Sequence, residues 1–441
     1  MHKPRALGVA LFVGMSLCGS VLASGAAQSL LTDEQSFVSY TVKPGDTFNR
    51  ILSQYTLPTA DRAKILQVNG LTNENRIEVG MTLRFARAEL QFRPALAKVM
   101  TLSCEQDILS GNPPAALRVG SDVTEGAVIR VPADCQVSLA IEDGSVIRLP
   151  SSATLQFTSL RINALESVPE VRLDLQRGRV EVNVKKNRGG TTPFEVNTPK
   201  AVMGVRGTEF RVGYDPEGDT AQVEVLTGTV AAQGGQDKRS QDVVKGFGVP
   251  FDKSGQSLGL EALLPAPAFV SAQKINAKAP AQWVNFEAMK LAKAYVVDSA
   301  STVNLSGVRY SQVVQQPRVA VGRLDENAVF YQFAAISETG LLGQTRQYGF
   351  CQPVNNSQRC NAVFDVPLAN GLPMTIALNR LDQGQPIPVI KPHTIEAKNG
   401  RFLVQGLPLG RYEWVLTYPF NQTPVVQTGA FELQALSAQT P

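Results

Sequence analysis

The sequence predicts a multidomain, mainly β protein: a small α+β module of βααβ order, then a β-roll or sandwich, then two β-sandwich domains. Three observations lead there. At 441 residues the chain exceeds one ordinary domain, since domains run to roughly 100–200 residues. Gly (36) and Pro (27) are plentiful and charged residues make up only 18%, which favours turns over long helices. From about residue 95 onward, short runs alternate apolar and polar residues between glycine turns, the period-2 pattern of half-buried strands.

The first element reads as a leader. "MHKPR" is basic, "ALGVALFVGMSL" is apolar, and "VLA" at 21–23 supplies the small residues of a cleavage site. Residues 1–23 are therefore expected to be a signal peptide cut near Ala23, with 24–38 as a linker. A membrane anchor is the weaker reading, because the run is short and glycine-rich polar sequence follows. Cys18 follows Leu17 where a lipobox needs a small residue, so lipidation is not expected. Of 42 basic residues Lys3 and Arg5 leave with the leader, so 40 remain against 38 acidic ones. That near-neutral balance, without a basic patch interleaved with aromatics, argues against nucleic acid. No later segment approaches the length of a membrane-spanning apolar run, so no transmembrane anchor is expected in the mature chain, and the expected compartment is the periplasm.

Cysteine and histidine usage narrows the chemistry. Beyond the leader stand Cys104, Cys135, Cys351 and Cys360. An even number in an exported chain points to two disulfides, and the local pairings 104–135 and 351–360 are the economical choice among three connectivities. Zinc is the weaker reading, because paired C-x2-C spacings are missing and His393 is the one histidine beyond the leader. That lone histidine, in "IKPHTIE", leaves nothing from which to build a Ser-His-Asp triad, a two-His metal site or a Cys-His pair. No spacing singles out a carboxylate pair. The chain is read as non-enzymatic, with no metal and no cofactor.

Residues 39–86 carry the first module. "SYTV" is a strand, "KPGD" a Pro-Gly turn, and Asp46 or Thr47 can cap a helix whose buried face holds Phe48, Ile51 and Leu52. A second helix, "TADRAKILQVN", opens with Thr59 as cap and stops at Asn69-Gly70, and "IEVGMTLRF" closes with a strand. Tyr40-Thr41-Val42, Gly45-Asp46-Thr47, Asn69-Gly70-Leu71 and Ile77 with Gly80 and Leu83 resemble the motifs of a LysM module. The resemblance implies binding of glycan containing N-acetylglucosamine, with peptidoglycan as the polymer. The family's shallow groove, carried over, comprises Gly45, Asp46, Thr47 and Phe48 on one side and Asn69, Gly70 and Leu71 on the other, with Ile77 nearby. Such turns can offer backbone groups to acetamido substituents while small apolar side chains meet sugar faces. The plainer reading is that these residues are the turns and caps the fold requires.

Residues 95–235 form the β-rich middle. Asp143-Gly144, Arg177-Gly178 and Thr227-Gly228 read as hairpin turns. Asp143-Gly144-Ser145, Leu175 to Val182, Pro193-Phe194-Glu195-Val196 and Arg206-Gly207-Thr208-Glu209-Phe210-Arg211-Val212 recur in the order of the FecR domain, which this region resembles. The resemblance implies the fold and a protein partner in the envelope. Neither a membrane-spanning run nor an anti-sigma portion is recognisable ahead of it, so transmembrane signalling to a sigma factor is not expected. Arg206 reads as a structural hydrogen-bonder.

Residues 236–264 read as a linker, extended by the Pro-Ala run "LLPAPAFVSAQ". Beyond it, 265–350 resembles a fibronectin type III-like sandwich with Trp283, Tyr295 and Phe333 in its core, and 361–436 a second one built on Phe402, Tyr412 and Trp414. Sugar-binding aromatics are the sharper alternative, but alternating strands favour core. The resulting expectation is a peptidoglycan-binding scaffold protein. A sensory or regulatory partner of a transporter is the alternative from the FecR-like strands. A wall hydrolase targeted by LysM has only the module's usual company in its favour.

Overall fold

The computed structural model describes residues 36–436 apart from 104–107, 112–114, 187–192, 206, 236–238, 275–281, 306–307, 323, 354–356, 366–373, 396–400 and 421–422. The leader, residues 24–35 of the first linker, Cys104 and Arg206 lie outside the described residues, as does the side chain of His393. The chain is mostly strand, with two short α-helices among the described residues.

The N-terminal module pairs β1 (Phe37–Thr41) antiparallel with β2 (Thr82–Ala86), placing Tyr40 opposite Leu83. Between them run α1 (Phe48–Tyr55) and α2 (Arg62–Val68). Apolar side chains from both layers, including Val38, Phe48, Ile51, Ile65, Leu83 and Phe85, close a small core. Thr47 caps α1, its hydroxyl accepting from the Arg50 N–H at 3.2 Å. Asp61, not Thr59, caps α2, because its carboxylate stands three residues before the Lys64 N–H it accepts from.

The central β domain closes on itself, and one 14-residue strand, Glu170–Asn183, belongs to both of its faces. That strand corrects the expected hairpin at Arg177-Gly178. Gly178 has φ +80, and a Cβ there would stand 2.7 Å from the Ser152 carbonyl oxygen, so glycine bends one continuous strand around a corner. Thr227-Gly228 likewise carries the chain from the strand Thr220–Thr227, paired with Glu209–Asp215, to Thr229–Gly234, paired with Ala201–Val205. Asp143-Gly144 does join paired strands, Gln136–Ile141 and Val146–Leu149.

Residues 236–264 are not simply a linker. Gln241–Val244 pairs with Thr229–Gly234, Phe247–Phe251 with Thr220–Thr227, and Glu261–Ala262 with Phe247–Phe251. Val243, Val249 and Phe251 are buried in the domain's core. Their strands are short and separated by Gly- and Ser-containing turns, which is why the stretch resembles a linker in sequence.

The C-terminal region is also joined differently from the expected two independent sandwiches. One eight-stranded sheet runs through both halves, because Arg346–Cys351 pairs in parallel with Thr423–Ala435. The three-stranded sheet of Phe269–Lys274, Gln282–Phe286 and Arg318–Val321 contributes Val284, Phe286, Val319 and Val321 to a core shared with Phe333, Tyr348 and Phe350 of the long sheet. The pair Arg359–Asp365 and Arg401–Pro408 contributes Phe364, Val404 and Leu407 to a core shared with Tyr412, Trp414 and Phe431. Alternation puts Val284 and Phe286 inside, so Trp283 lies on the other side, under the Arg318 guanidinium at 4.6 Å.

Cys351 and Cys360 form a disulfide, linking the long sheet to the two-stranded one. Cys135 is also disulfide-bonded. The 351–360 bridge closes a loop of nine residues' separation, so Cys351→Ala with Cys360→Ala is expected to cost about 2–3 kcal/mol. Urea unfolding of the oxidised protein against the double variant measures it.

Candidate functional site

The N-terminal module presents two glycine turns, one just ahead of α1 and one at the end of α2. In the first, Asp46 N–H donates to the Lys43 carbonyl at 3.1 Å, closing a turn with Pro44 and Gly45 at its centre and Gly45 at φ +86. The Asp46 carboxylate is fixed from inside, accepting from the Lys43 N–H and the Tyr40 hydroxyl, each at 2.7 Å. These two bonds, the backbone one first, hold its carboxyl below the ordinary value of 3.8. A depressed acid stabilises the fold above its ordinary range, and that contribution fades as pH falls through the folded value. Burial, reinforced by the matching hydrogen bond to Asp46, pushes the Tyr40 hydroxyl well above its ordinary range.

The second turn ends α2. Gly70 N–H donates to Gln67 C=O at 3.0 Å and Leu71 N–H to Leu66 C=O at 2.9 Å, with Gly70 at φ +63. This is the paired 5→2 and 6→1 closure that takes up the last carbonyls of a helix. The chain then forms a single 3-10 turn, Glu74–Arg76, beside α1. A polar cluster bridges the two sides: Arg62 donates to Asn49 Oδ1 and to Glu74, and its guanidinium stands 5.5 Å from the Phe48 ring centre.

The expected groove residues therefore divide. Gly45 and Gly70 face open space, with nothing within 4 Å of the position a Cβ would take. Asp46 and Thr47 hold the first turn and the head of α1, where the Phe48 and Asn49 N–H groups have no intrahelical acceptor. Leu71 and Ile77 are half-buried at the edge of the core. Phe48 is a correction: it is 2% exposed, packed inside, and presents no ring to a ligand. Asn69 is another. Its amide donates to Ile65 O at 2.8 Å and Arg84 O at 2.9 Å and accepts from Arg84 N at 2.6 Å, stitching α2 to β2. Asn49, Arg62 and Glu74 were not legible as partners, since they lie 12 and 13 residues apart.

Residues 40–85 match the family model of the LysM domain, and residues 127–231 match that of the FecR protein. The chain carries a LysM domain followed by a FecR domain. Comparison with the curated proteins finds no match. Among solved structures, a proposed anti-sigma factor from Parabacteroides distasonis is similar at 20% identity and TM-score 0.26, over 31% of this chain and 59% of that one. The FN1–FN3 domains of chicken CNTN1 are similar at 10% identity and TM-score 0.14, over 58% of this chain and 98% of that one. Both matched families are non-catalytic, binding or regulatory, and typical of envelope proteins. Among the described residues no helix is long and apolar enough to cross a membrane.

The LysM domain is built into the FecR domain rather than tethered to it. From β2 the chain passes through a 3-10 turn, Arg87–Glu89, directly to Phe92–Pro94, which pairs with Thr154–Asn163. Gln91 donates its backbone N–H to Tyr55 O at 2.8 Å and accepts from Ala164 N at 2.8 Å, and Leu165 packs on the LysM core. Arg87 grips Glu166 with both terminal nitrogens, Nη2 to Oε1 at 2.7 Å. The side chains of this pair are 6% and 10% exposed.

Proposed function

We infer that the protein is a non-enzymatic, peptidoglycan-binding protein of the periplasm. Its LysM domain binds glycan containing N-acetylglucosamine, and its FecR and C-terminal β domains serve as scaffold or protein-interaction modules. The observation that carries this reading is that two glycine turns, at Gly45 and at Gly70, are each open around the glycine and held from behind by Asp46, Thr47 and Asn69. A rigid, shallow, backbone-lined groove suits a polymer whose acetamido groups both donate and accept hydrogen bonds. One such groove binds weakly, so several copies along one glycan strand would raise the retention.

The test uses the mature chain and purified sacculi. The intact protein is expected to sediment with sacculi and to be released by soluble N-acetylglucosamine oligomers. Gly70→Asn adds a side chain over the groove at a φ of +63 that asparagine tolerates. It is expected to lower sacculus binding about tenfold, roughly 1.4 kcal/mol, while leaving the unfolding midpoint within a few degrees. Failure of the intact protein to sediment would refute the reading.

The FecR match favours a second reading, a regulatory partner of an envelope transporter or signalling system. Crosslinking in cells separates the two: it recovers a transporter or its signalling domain if this reading holds, and wall glycan alone if it does not.

A further inference from the structure

A cavity of about 550 Å³ lies where the FecR domain meets the C-terminal region, far along the chain from the glycine turns. Its FecR wall is a row of charge across neighbouring strands: Arg148 stands opposite Glu181, Glu181 opposite Arg211, and Arg211 opposite Glu224. Their neighbours Ile147, Val182 and Phe210 point into the FecR core, so this row lies on the outer face. The C-terminal region covers it, leaving Arg211 1% exposed and Glu224 fully buried.

The row is not fully satisfied. Arg211 Nη2 donates to Gly343 O at 2.9 Å, but its Nε and Nη1 are buried without a hydrogen-bond partner among the described residues. Arg148 Nε and Trp414 Nε1, on the same cavity, share that condition. Buried donors of this kind are rare and costly, and they cluster where a ligand supplies the acceptor. Every such atom on these walls is a donor. Four guanidinium groups line the cavity, Arg148, Arg211, Arg346 and Arg411, against the carboxyls of Glu181, Glu209 and Glu432. Burial also holds the Glu209 carboxyl above its ordinary range. With Glu224 and Asp298 also acting on Arg211, the row has little positive charge to spare, so an acceptor of single negative charge suits the free donors better than a dianion such as phosphate. Leu226, Val303 and Leu305 supply apolar wall, and the volume falls within the range of roughly 300–1,000 Å³ typical of small-molecule sites. Exposed Val426 and Thr428 belong to the lining, so the cavity reaches solvent.

We propose that this cavity binds a small monocarboxylate with an apolar body, its carboxylate seated against the Arg211 guanidinium. The site is independent of the glycan groove, and sacculus binding does not depend on it. Binding here bridges the FecR domain and the C-terminal region, so the ligand stabilises their contact.

The experiment presents the mature protein with hexanoate, benzoate and N-acetyl-leucine at millimolar concentration. The controls are hexanamide, benzamide, N-acetyl-leucinamide and inorganic phosphate. Unfolding midpoint and tryptophan fluorescence are read, Trp414 being one of two tryptophans in the chain. At least one acid is expected to raise the midpoint and shift the fluorescence, and its amide and phosphate are expected to do neither. Arg211→Met is expected to weaken the acid at least tenfold. Should that variant not fold, Trp414→Phe keeps an aromatic side chain and removes the N–H, and is expected to weaken binding several-fold by the midpoint alone. The proposal is overturned if no acid acts, if acid and amide act alike, if phosphate acts as strongly, or if the folded variants respond like the parent.

Discussion

Glu166→Ala is expected to destabilise the junction between the LysM and FecR domains by about 3–5 kcal/mol, the cost of taking one partner from a buried ion pair. Glu166 accepts from both terminal nitrogens of Arg87 and from Asn163 Nδ2 at 3.1 Å. The substitution removes the carboxylate from beside a guanidinium that is 6% exposed and that water reaches poorly. Hydrogen exchange at β1 and β2 should then accelerate ahead of the FecR strands, because the two domains cease to open as one unit. Arg87→Met combined with Glu166→Leu exchanges the pair for apolar contact and is expected to restore most of the loss. A single variant that unfolds at the parent's denaturant midpoint would show that the pair does not couple the domains.

Glu224→Ala is expected to cost about as much, roughly 3–5 kcal/mol, at the other junction. Glu224 is fully buried, takes two bonds of 2.7 Å from Arg179 Nη1, and accepts from the Leu342 N–H of the C-terminal region at 2.9 Å. It also stands opposite Arg211, whose guanidinium burial pulls below its ordinary range and Glu224 and Glu181 push back up. Alanine therefore leaves two cations short of a counter-charge and one backbone donor without an acceptor. Glu224→Gln keeps an acceptor for Leu342 and loses only the charge, so its cost should be smaller. Urea unfolding that splits into two steps for alanine, with the Leu342 amide exchanging in the first, is the expected signature. An unchanged single transition would mean that the charge row does not hold the C-terminal region in place.

The LysM turns were legible because each is a local matter. Pro44-Gly45 dictates a turn with positive φ, Thr47 caps the helix that follows, and Asn69-Gly70 ends the next one, all within a few residues. What those local signals did not reveal was direction. Phe48 and Asn69 belong to the same motifs as Gly45 and Gly70, yet one packs into the core and the other is consumed by backbone bonds 15 residues away. In the FecR domain, alternation separated Val182 and Phe210 from Glu181 and Arg211 but carried no information on what would cover the charged face. A row of charges in alternating strands ordinarily meets water. Here segments more than a hundred residues later lie over it, as the bonds from Arg211 to Gly343 and from Leu342 to Glu224 record.

By itself, then, the sequence determined the mainly β class, the two recognisable domains and their order, since these rest on periodicity, turn chemistry and short motifs. Tertiary structure alone decided that strands within residues 241–262 pair into the central β domain, that one sheet runs through the C-terminal half, and that a charged strand face becomes the wall of a cavity. The physical reason is common to all three. Strand pairing and face-to-face burial join residues far apart in the chain, and a strand's own sequence states which face is polar without stating what lies against it.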